Sequence, residues 1–451
     1  MARPSVKTVE ELLTFLQARG PLAAAEVIAG LDVSQSTFSR LARAAGPKLL
    51  AIGRGRAAMY GARRTVRTIG DTIPLFRVSP DGKCEPLGLL TALHPGGFAF
   101  HPKKTSAKPQ LFPGIPFFLT DHRPQGFMGR TFAERNPELR LPARIVDWSE
   151  DDFLEAICRR GEDAPGNLIA GRESFERYQT AFLAGKKPLA EKGLKAHYKM
   201  AATAALEAEM PGSSAGGEQP KFTVSFSAGK KVSHAIVKFS PRTSGFAGKR
   251  WRDLLVAESI ALDLLTGAGW EASSARVCEN VDRAFLEVQR FDRSGTFGRI
   301  GTLSLGPIED EWFGRRDNWV AAAVRLEAKG TISAQDARVI RFLYSFGGLI
   351  ANSDRHFGNL SFFFELGFPR LRLTPAYDML PMLYAPSQID AIERERLFVV
   401  EPPMAEAVDE WNEALPLAVN FWERVAKDKR VSPNFRGIAK KNAGLLKRAG
   451  S

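Results

Sequence analysis

At 451 residues, 44% apolar and 25% charged, the chain has the composition of a soluble globular protein with room for two or three domains, which excludes a largely disordered polypeptide. Cys84, Cys158 and Cys278 are scattered without C-x-x-C spacing, which excludes a disulfide framework and a zinc site and suits a reducing cytoplasm. The start, "MARPSVKTVEELL", has no apolar signal core and no window approaches the apolar length of a membrane span, so a cytoplasmic protein without membrane contact is expected. The net charge of +13 is uneven: residues 1–69 hold eleven Lys/Arg against four Asp/Glu and residues 421–451 nine against two, +7 each, leaving the middle at −1. Two basic ends on a near-neutral body point to a polyanion, nucleic acid first. For the last 25 residues a solvated, frayed basic tail is the expectation.

Residues 8–45 carry three short helical patterns: "TVEELLTFLQARG", "LAAAEVIAGLD" and "SQSTFSRLARAAG". The third places Phe38, Leu41, Ala42 and Ala45 on one face and Gln35, Ser36, Ser39, Arg40 and Arg43 on the other. A basic hairpin pattern follows around Arg54 and Arg56. Helix, helix, polar-faced helix and basic hairpin resemble a winged helix-turn-helix, whose third helix enters the major groove while wing arginines meet phosphate or minor groove. A small helical protein-interaction module is the alternative.

Residues 70–145 read as short strands and turns, with a hairpin at "GLLTALHPGGFAFHP" and a loop at "PQLFPGIPFFLTDHRPQGFMGR". Helices are predicted at "SEDDFLEAICRRG" and "GRESFERYQTAFLAG", and "AGKKPLAEKGLKAH" reads as a connector. From about 209 the order is loop, strand, strand, helix, strand, strand, as in a nucleotide-binding lobe; beyond 315 the chain is mostly helical.

The densest chemistry lies in "NSDRHFGN". Asp354 and Asn359 stand five apart between a helix and an apolar strand, and Asp378 follows nineteen residues after Asn359 in "LTPAYDM". This spacing matches the base and magnesium ligands of a protein-kinase centre. A carboxylate beside a hydroxyl accepts its proton, and Mg²⁺ takes oxygen ligands from Asn and Asp. Alone, such a spacing occurs often by chance, and an Asn/Asp-rich turn between helix and strand is its ordinary explanation. Further upstream, "SSAGGEQPKF" supplies Gly216 and Gly217 ahead of Lys221, a turn able to aim backbone N–H groups at phosphate. Lys238 sits in the apolar alternating strand "HAIVKFS", where an unpartnered lysine is costly, and Glu258 in the next helix is a candidate partner.

Five ordered motifs, "SSAGGEQPK", "IVKF", "VQRFDR", "NSDRHFGN" and "TPAYD", resemble the HipA-like serine/threonine kinase toxins over about residues 75–440, and the N-terminal helix-turn-helix pattern is similar to the family's YjjJ-like branch. The resemblance implies an α+β, two-lobed kinase-like fold, with a mixed N-lobe and a mostly helical C-lobe, behind a small winged helix-turn-helix. The segments expected are 1–68 for DNA binding, 69–185 for the N-terminal subdomain, 186–300 for the nucleotide-binding lobe and 301–451 for the helical lobe. It further implies ATP and Mg²⁺ as cofactors. ATP would meet Gly216, Gly217, Glu218, Gln219, Pro220, Lys221, Lys238, Gln289, Arg290, Phe291, His356, Phe357, Gly358, Asn359, Tyr377 and Asp378. Asp354 would accept the proton, Asn359 and Asp378 would hold metal, and Ser214 would be autophosphorylated. The family's hinge usually reads Glu-Arg-Phe where Gln289 stands here, and Glu218 places an acid near the phosphates.

The partners implied are a protein substrate such as an aminoacyl-tRNA synthetase, DNA, and an antitoxin that the fused DNA-binding segment makes dispensable. A homodimer on two half-sites fits a winged helix. Two other readings stay open: a DNA-binding regulator whose kinase part only senses nucleotide, and a small-molecule kinase.

Overall fold

A computed structural model describes residues 7–104, 108–124, 129, 131–207, 219–229, 231–279, 282–368, 370–386 and 396–450 as a mixed α+β chain. They fall into two compact units, the first drawn from 1–79, 83–123 and 138–186 and the second from 80–82, 124–137 and 187–451. No helix among the described residues is long and apolar enough to cross a membrane.

In the first unit, helix α1 (Val9–Arg19) starts on a reciprocal cap: the Thr8 hydroxyl accepts from Glu11 N at 3.2 Å while the Glu11 carboxylate accepts from Thr8 N at 2.8 Å. Helices α2 (Ala24–Leu31) and α3 (Gln35–Ala45) follow, α3 capped by the Ser34 hydroxyl. Strands β1 (Leu22–Ala23), β2 (Leu49–Ile52) and β3 (Met59–Ala62) form an antiparallel sheet with β3 in the middle. Leu12, Leu16, Val27, Phe38, Leu41 and Leu49 share one apolar cluster, which fixes α3 with its polar face outward.

A five-stranded antiparallel sheet follows, in the order β7 (Gln110–Phe112), β6 (Phe98–Pro102), β5 (Cys84–Ala92), β4 (Thr72–Val78), β8 (Leu168–Ala170). Helices α4 (Glu150–Arg160) and α5 (Arg172–Leu183) belong to the same unit. The stretch read as a loop after Pro109 therefore contains β7 and a 3-10 turn at Phe117–His122. The segment after β3 is tied to α4, with Arg64 Nη1 donating to Asp151 at 2.7 Å and Thr68 N to Glu155 at 3.2 Å, and Ile52 of β2 packs with Leu93 and with Ala99 of β6.

The second unit holds a five-stranded sheet in the order β12 (Ala275–Glu279), β13 (Ala284–Gln289), β11 (Lys231–Phe239), β10 (Lys221–Ala228), β9 (Leu189–Ala190). Side chains alternate along a strand. Ala235, Val237 and Phe239 pack against Leu194, Tyr198 and Ala202 of helix α6 (Leu194–Glu207), so Lys238 points to the opposite face. There it meets helix α7 (Phe246–Gly267), which buries Leu254, Leu255 and Glu258. The stretch read as a connector is a correction: it supplies β9, which pairs in parallel with β10, and the start of α6. Local charge hid both elements, since β9 is only two residues long.

Beyond the ribbon β14 (Arg293–Ser294) and β15 (Gly298–Arg299), a small sheet orders β16 (Thr302–Ser304), β17 (Ser361–Phe363) and β18 (Arg372–Leu373). The helices are α8 (Leu305–Trp312), α9 (Trp319–Ala328), α10 (Ala334–Leu349), α11 (Val408–Lys427) and α12 (Pro433–Ala449). α12 corrects the expectation of a frayed tail. Phe435, Ala439, Asn442, Ala443 and Leu446 are buried at helical spacing, and Asn442 Nδ2 donates to the Tyr384 hydroxyl at 2.8 Å. Lys440, Lys441, Lys447 and Arg448 occupy its exposed face, so the basic count outweighed the apolar stripe.

Ser432 caps α12 and also donates from its hydroxyl to the buried Asp253 at 2.6 Å. Removing that hydroxyl takes away a cap and leaves a buried carboxylate one bond short. Ser432→Ala is expected to cost about 1–2 kcal/mol of stability, read by urea unfolding.

Candidate functional site

Lys238 is 4% exposed and Glu258 fully buried, with Lys238 Nζ donating to Glu258 Oε1 at 2.5 Å. The same ammonium donates to the Asp378 carboxylate, which arrives from a residue in the left-handed region at φ +54°. Strand pairing places Lys221 directly across from Lys238. Burial works against the charge on Lys238, but Asp378 and Glu258 overcome it and hold the ammonium above the usual lysine range. For Asp378, burial opposes ionisation while Lys238 and Lys221 outweigh it, so its carboxyl stays below the usual range. Burial pushes Glu258 up, with Lys238 only partly offsetting it.

The loop between α10 and β17 is held to this cluster through Asn352. Its Oδ1 accepts from Asp354 N at 3.0 Å and its Nδ2 donates to Asp378 O at 3.2 Å. Asn359 Nδ2 donates to Asp354 O at 2.8 Å, which closes the turn and leaves the Asn359 oxygen as an acceptor. The Asp354 side chain is 49% exposed, beside His356 with Nε2 at 3.9 Å from Asp354 Oδ1. His356 Nδ1 accepts from Gly358 N at 3.0 Å, which gives it a turn-forming task. Tyr377 donates to Gly358 O at 2.8 Å and shares a 2.6 Å bond with the Ser361 hydroxyl, and Phe357 is buried.

On the β13 side, Gln289 is exposed and donates its backbone N–H to Ser274 O at 2.9 Å. Arg290 N donates to His234 O at 2.8 Å, and its guanidinium is committed to Asp292, with Nε at 2.9 Å. Phe291 lies 5.6 Å from the Tyr377 ring, centroid to centroid. Pro220 is buried and Lys221 and Gln219 are half-buried. Ser214, Gly216, Gly217 and Glu218 lie outside the described residues.

Residues far apart in the chain thus meet, Lys238 with Asp378 across 140 positions and with Glu258, while Lys221 lies across from Lys238 and the nearby Asp354 and Asn359 are joined by a backbone bond. Sequence reasoning assigned no role to Asn352, Ser361 or Trp319, whose Nε1 donates to His356 O at 3.1 Å. The only local signal for Asn352 was a second carboxamide in "NSDRHFGN".

Asp378 and the Asn359 side chain offer the carboxylate and amide oxygens that Mg²⁺ takes, and among the described residues no group of three or more His, Cys, Asp or Glu could hold a metal. Gln219 Nε2, just ahead of β10, and Glu258 Oε2, on α7, are buried polar atoms without a protein partner, a donor and an acceptor.

The model of the HipA-like C-terminal domain matches residues 213–442, and that of the YjjJ-like toxin middle domain matches residues 69–179. Toxin YjjJ of Escherichia coli (strain K12) is 38% identical over 429 residues, 95% of either chain. The chain belongs to the HipA-like toxin family, in its YjjJ-like branch. The HipA-like match spans every site residue from Lys221 to Asp378. Among solved structures, a chain of the Shewanella oneidensis MR-1 toxin–antitoxin complex of HipA, HipB and operator DNA covers 82% of this chain and 95% of its own at a TM-score of 0.53 and 16% identity, a likeness of fold alone. The Helicobacter pylori proinflammatory kinase CtkA aligns over 53% of this chain and 90% of its own at 14% identity and a TM-score of 0.36, too low to bear on the fold.

Proposed function

We propose that this HipA-like protein is an ATP- and Mg²⁺-dependent serine/threonine protein kinase, the toxin of a toxin–antitoxin system, acting in the cytoplasm. The observation that carries the reading is the Lys238–Glu258–Asp378 cluster bonded through Asn352 to the Asp354 turn. Lys238 and Lys221 draw phosphate charge towards one face of the sheet. Glu258 fixes the Lys238 ammonium, and Asn359 and Asp378 hold Mg²⁺. Bound there, the ion neutralises charge on the phosphate oxygens. A serine or threonine oxygen of the target bonds to the γ-phosphorus, the bond to the ADP oxygen breaks, and Asp354 accepts the hydroxyl proton.

The backbone at the end of β13, Gln289 and Arg290, is the adenine contact in this reading, with Phe291 and Tyr377 beside it. By the family resemblance Gly216 to Lys221, with Glu218 among them, is the ATP phosphate loop, and Ser214 is an autophosphorylation site. The substrate class is a protein such as an aminoacyl-tRNA synthetase. Incubation with γ-labelled ATP and cell extract tests this reading: acid-stable label on polypeptide, lost when Mg²⁺ is chelated, is expected. Label confined to the small-molecule pool would overturn it.

The N-terminal helices and sheet act as a winged helix-turn-helix for autoregulation, with a homodimer on two half-sites and a separate antitoxin dispensable. Gln35, Ser36, Ser39, Arg40 and Arg43 are exposed on α3, Arg54 is exposed between β2 and β3, and Arg56 follows it two positions on in the sequence. Replacing Arg40 and Arg43 by alanine is expected to weaken promoter DNA binding and reduce the slope of log K against log salt by about 2. A filter-binding series over salt concentration measures it.

A further inference from the structure

We propose that Arg355 is a positioning residue for phosphoryl transfer, seated in a notch that Gly347 and Gly348 cut into the last turn of α10. The proposal rests on the kinase reading of Asp354. Arg355 lies between Asp354 and His356, whose side chains are 49% and 57% exposed, yet its own side chain is 16% exposed. It turns away from the cluster and donates from Nη1 to Tyr344 O at 2.9 Å, with its guanidinium 4.4 Å from the Tyr344 ring centroid. A cation is favourable at the C-terminal turn of a helix, and guanidinium over an aromatic face adds to it. Glu401, 77% exposed and 3.8 Å away, contributes little.

The two glycines supply the independent observation. Neither takes a positive φ, so the backbone does not require them. Glycine within a helix is unfavourable relative to alanine. A Cβ on Gly347 would lie 3.0 Å from Arg355 Cδ, and one on Gly348 would lie 2.6 Å from Arg355 Nη1. Their missing side chains are the space the arginine fills. The turn is then pinned at successive residues: Asp354 N on Asn352, Arg355 on Tyr344, and His356 O on the Trp319 indole. The direction of the Asp354 carboxylate follows from that backbone, and small misplacements of a reacting group cost large factors in rate.

The test uses the full-length chain as wild type, Arg355→Ala, Gly348→Ala and the double variant. Single-turnover transfer from labelled ATP is expected to slow at least about tenfold in each single variant, with ATP affinity within about twofold of wild type. The double variant should be no slower than Arg355→Ala, because the new methyl then occupies vacated space. A Gly348→Ala chain at the wild-type rate, additive slowing in the double variant, or ATP affinity falling in step with rate would overturn the assignment. Hydrogen exchange of residues 352–360 separates this from the kinase reading. Faster exchange in both single variants, and no faster in the double, supports the anchor whether or not any chain transfers phosphate; unchanged exchange rejects it. A wild-type chain that transfers nothing while the variants loosen the turn rejects the kinase reading and leaves the anchor standing.

Discussion

Asp354→Asn is expected to slow γ-phosphoryl transfer by about 10²–10⁴-fold, the usual weight of a positioned general base, while leaving ATP affinity unchanged. The amide keeps the size of the side chain and leaves the backbone bonds to Asn352 and Asn359 in place, so the loss reports proton acceptance and not loop collapse. The carboxylate is half exposed and carries no buried ion pair, so stability should stay near wild type. Single-turnover transfer and fluorescent-nucleotide binding on the same samples measure the split. A variant within tenfold of wild type would remove Asp354 from the chemistry.

Lys238→Met carries the largest expected effect on stability. The substitution leaves Glu258 fully buried and without its ammonium, and a buried pair broken from one side typically costs about 3–5 kcal/mol. Adding Glu258→Met should recover part of the loss, since one of the two carboxylates left without the ammonium is then gone and Asp378 remains. The pH dependence has a definite sign. Burial already raises Glu258, and without Lys238 its folded pKa lies higher still above the unfolded value. The folded variant then binds more protons than the unfolded chain, so its stability rises as pH falls through that folded pKa. The deficit at pH 7 should therefore shrink towards pH 5, in urea unfolding at both values. A deficit independent of pH would mean that another contact is responsible. Loss of phosphate affinity is expected alongside, because Lys238 and Lys221 face the same side of the sheet.

Much of this site was legible because its chemistry sits on local patterns. A lysine in an alternating apolar strand announces a partner, and the pattern alone places Lys238 on a face opposite Val237 and Phe239. Asp354, Asn359 and Asp378 were legible by spacing and residue type. What stayed hidden depends on contacts between distant residues. Asn352 joins Asp354 to Asp378 across 26 positions, and nothing in its neighbours marks it as a bridge instead of a turn former. That Asp292, two residues on, holds the Arg290 guanidinium was equally hidden. Arg355 read as one more polar residue because the notch that receives it lies in the preceding helix. The basic tail misled for a different reason: α12 shows charge on the side facing solvent, and its apolar positions are outnumbered.

The most direct measurement is phosphopeptide mapping after incubation of the purified chain, beside Asp354→Asn, with ATP and Mg²⁺ in the presence of cell proteins. The sample is first shown to carry no phosphate. The account predicts phosphoserine or phosphothreonine on Ser214 or on added proteins with the wild-type chain and none with the variant. Intact ATP binding with no phosphopeptide from the wild-type chain would contradict it.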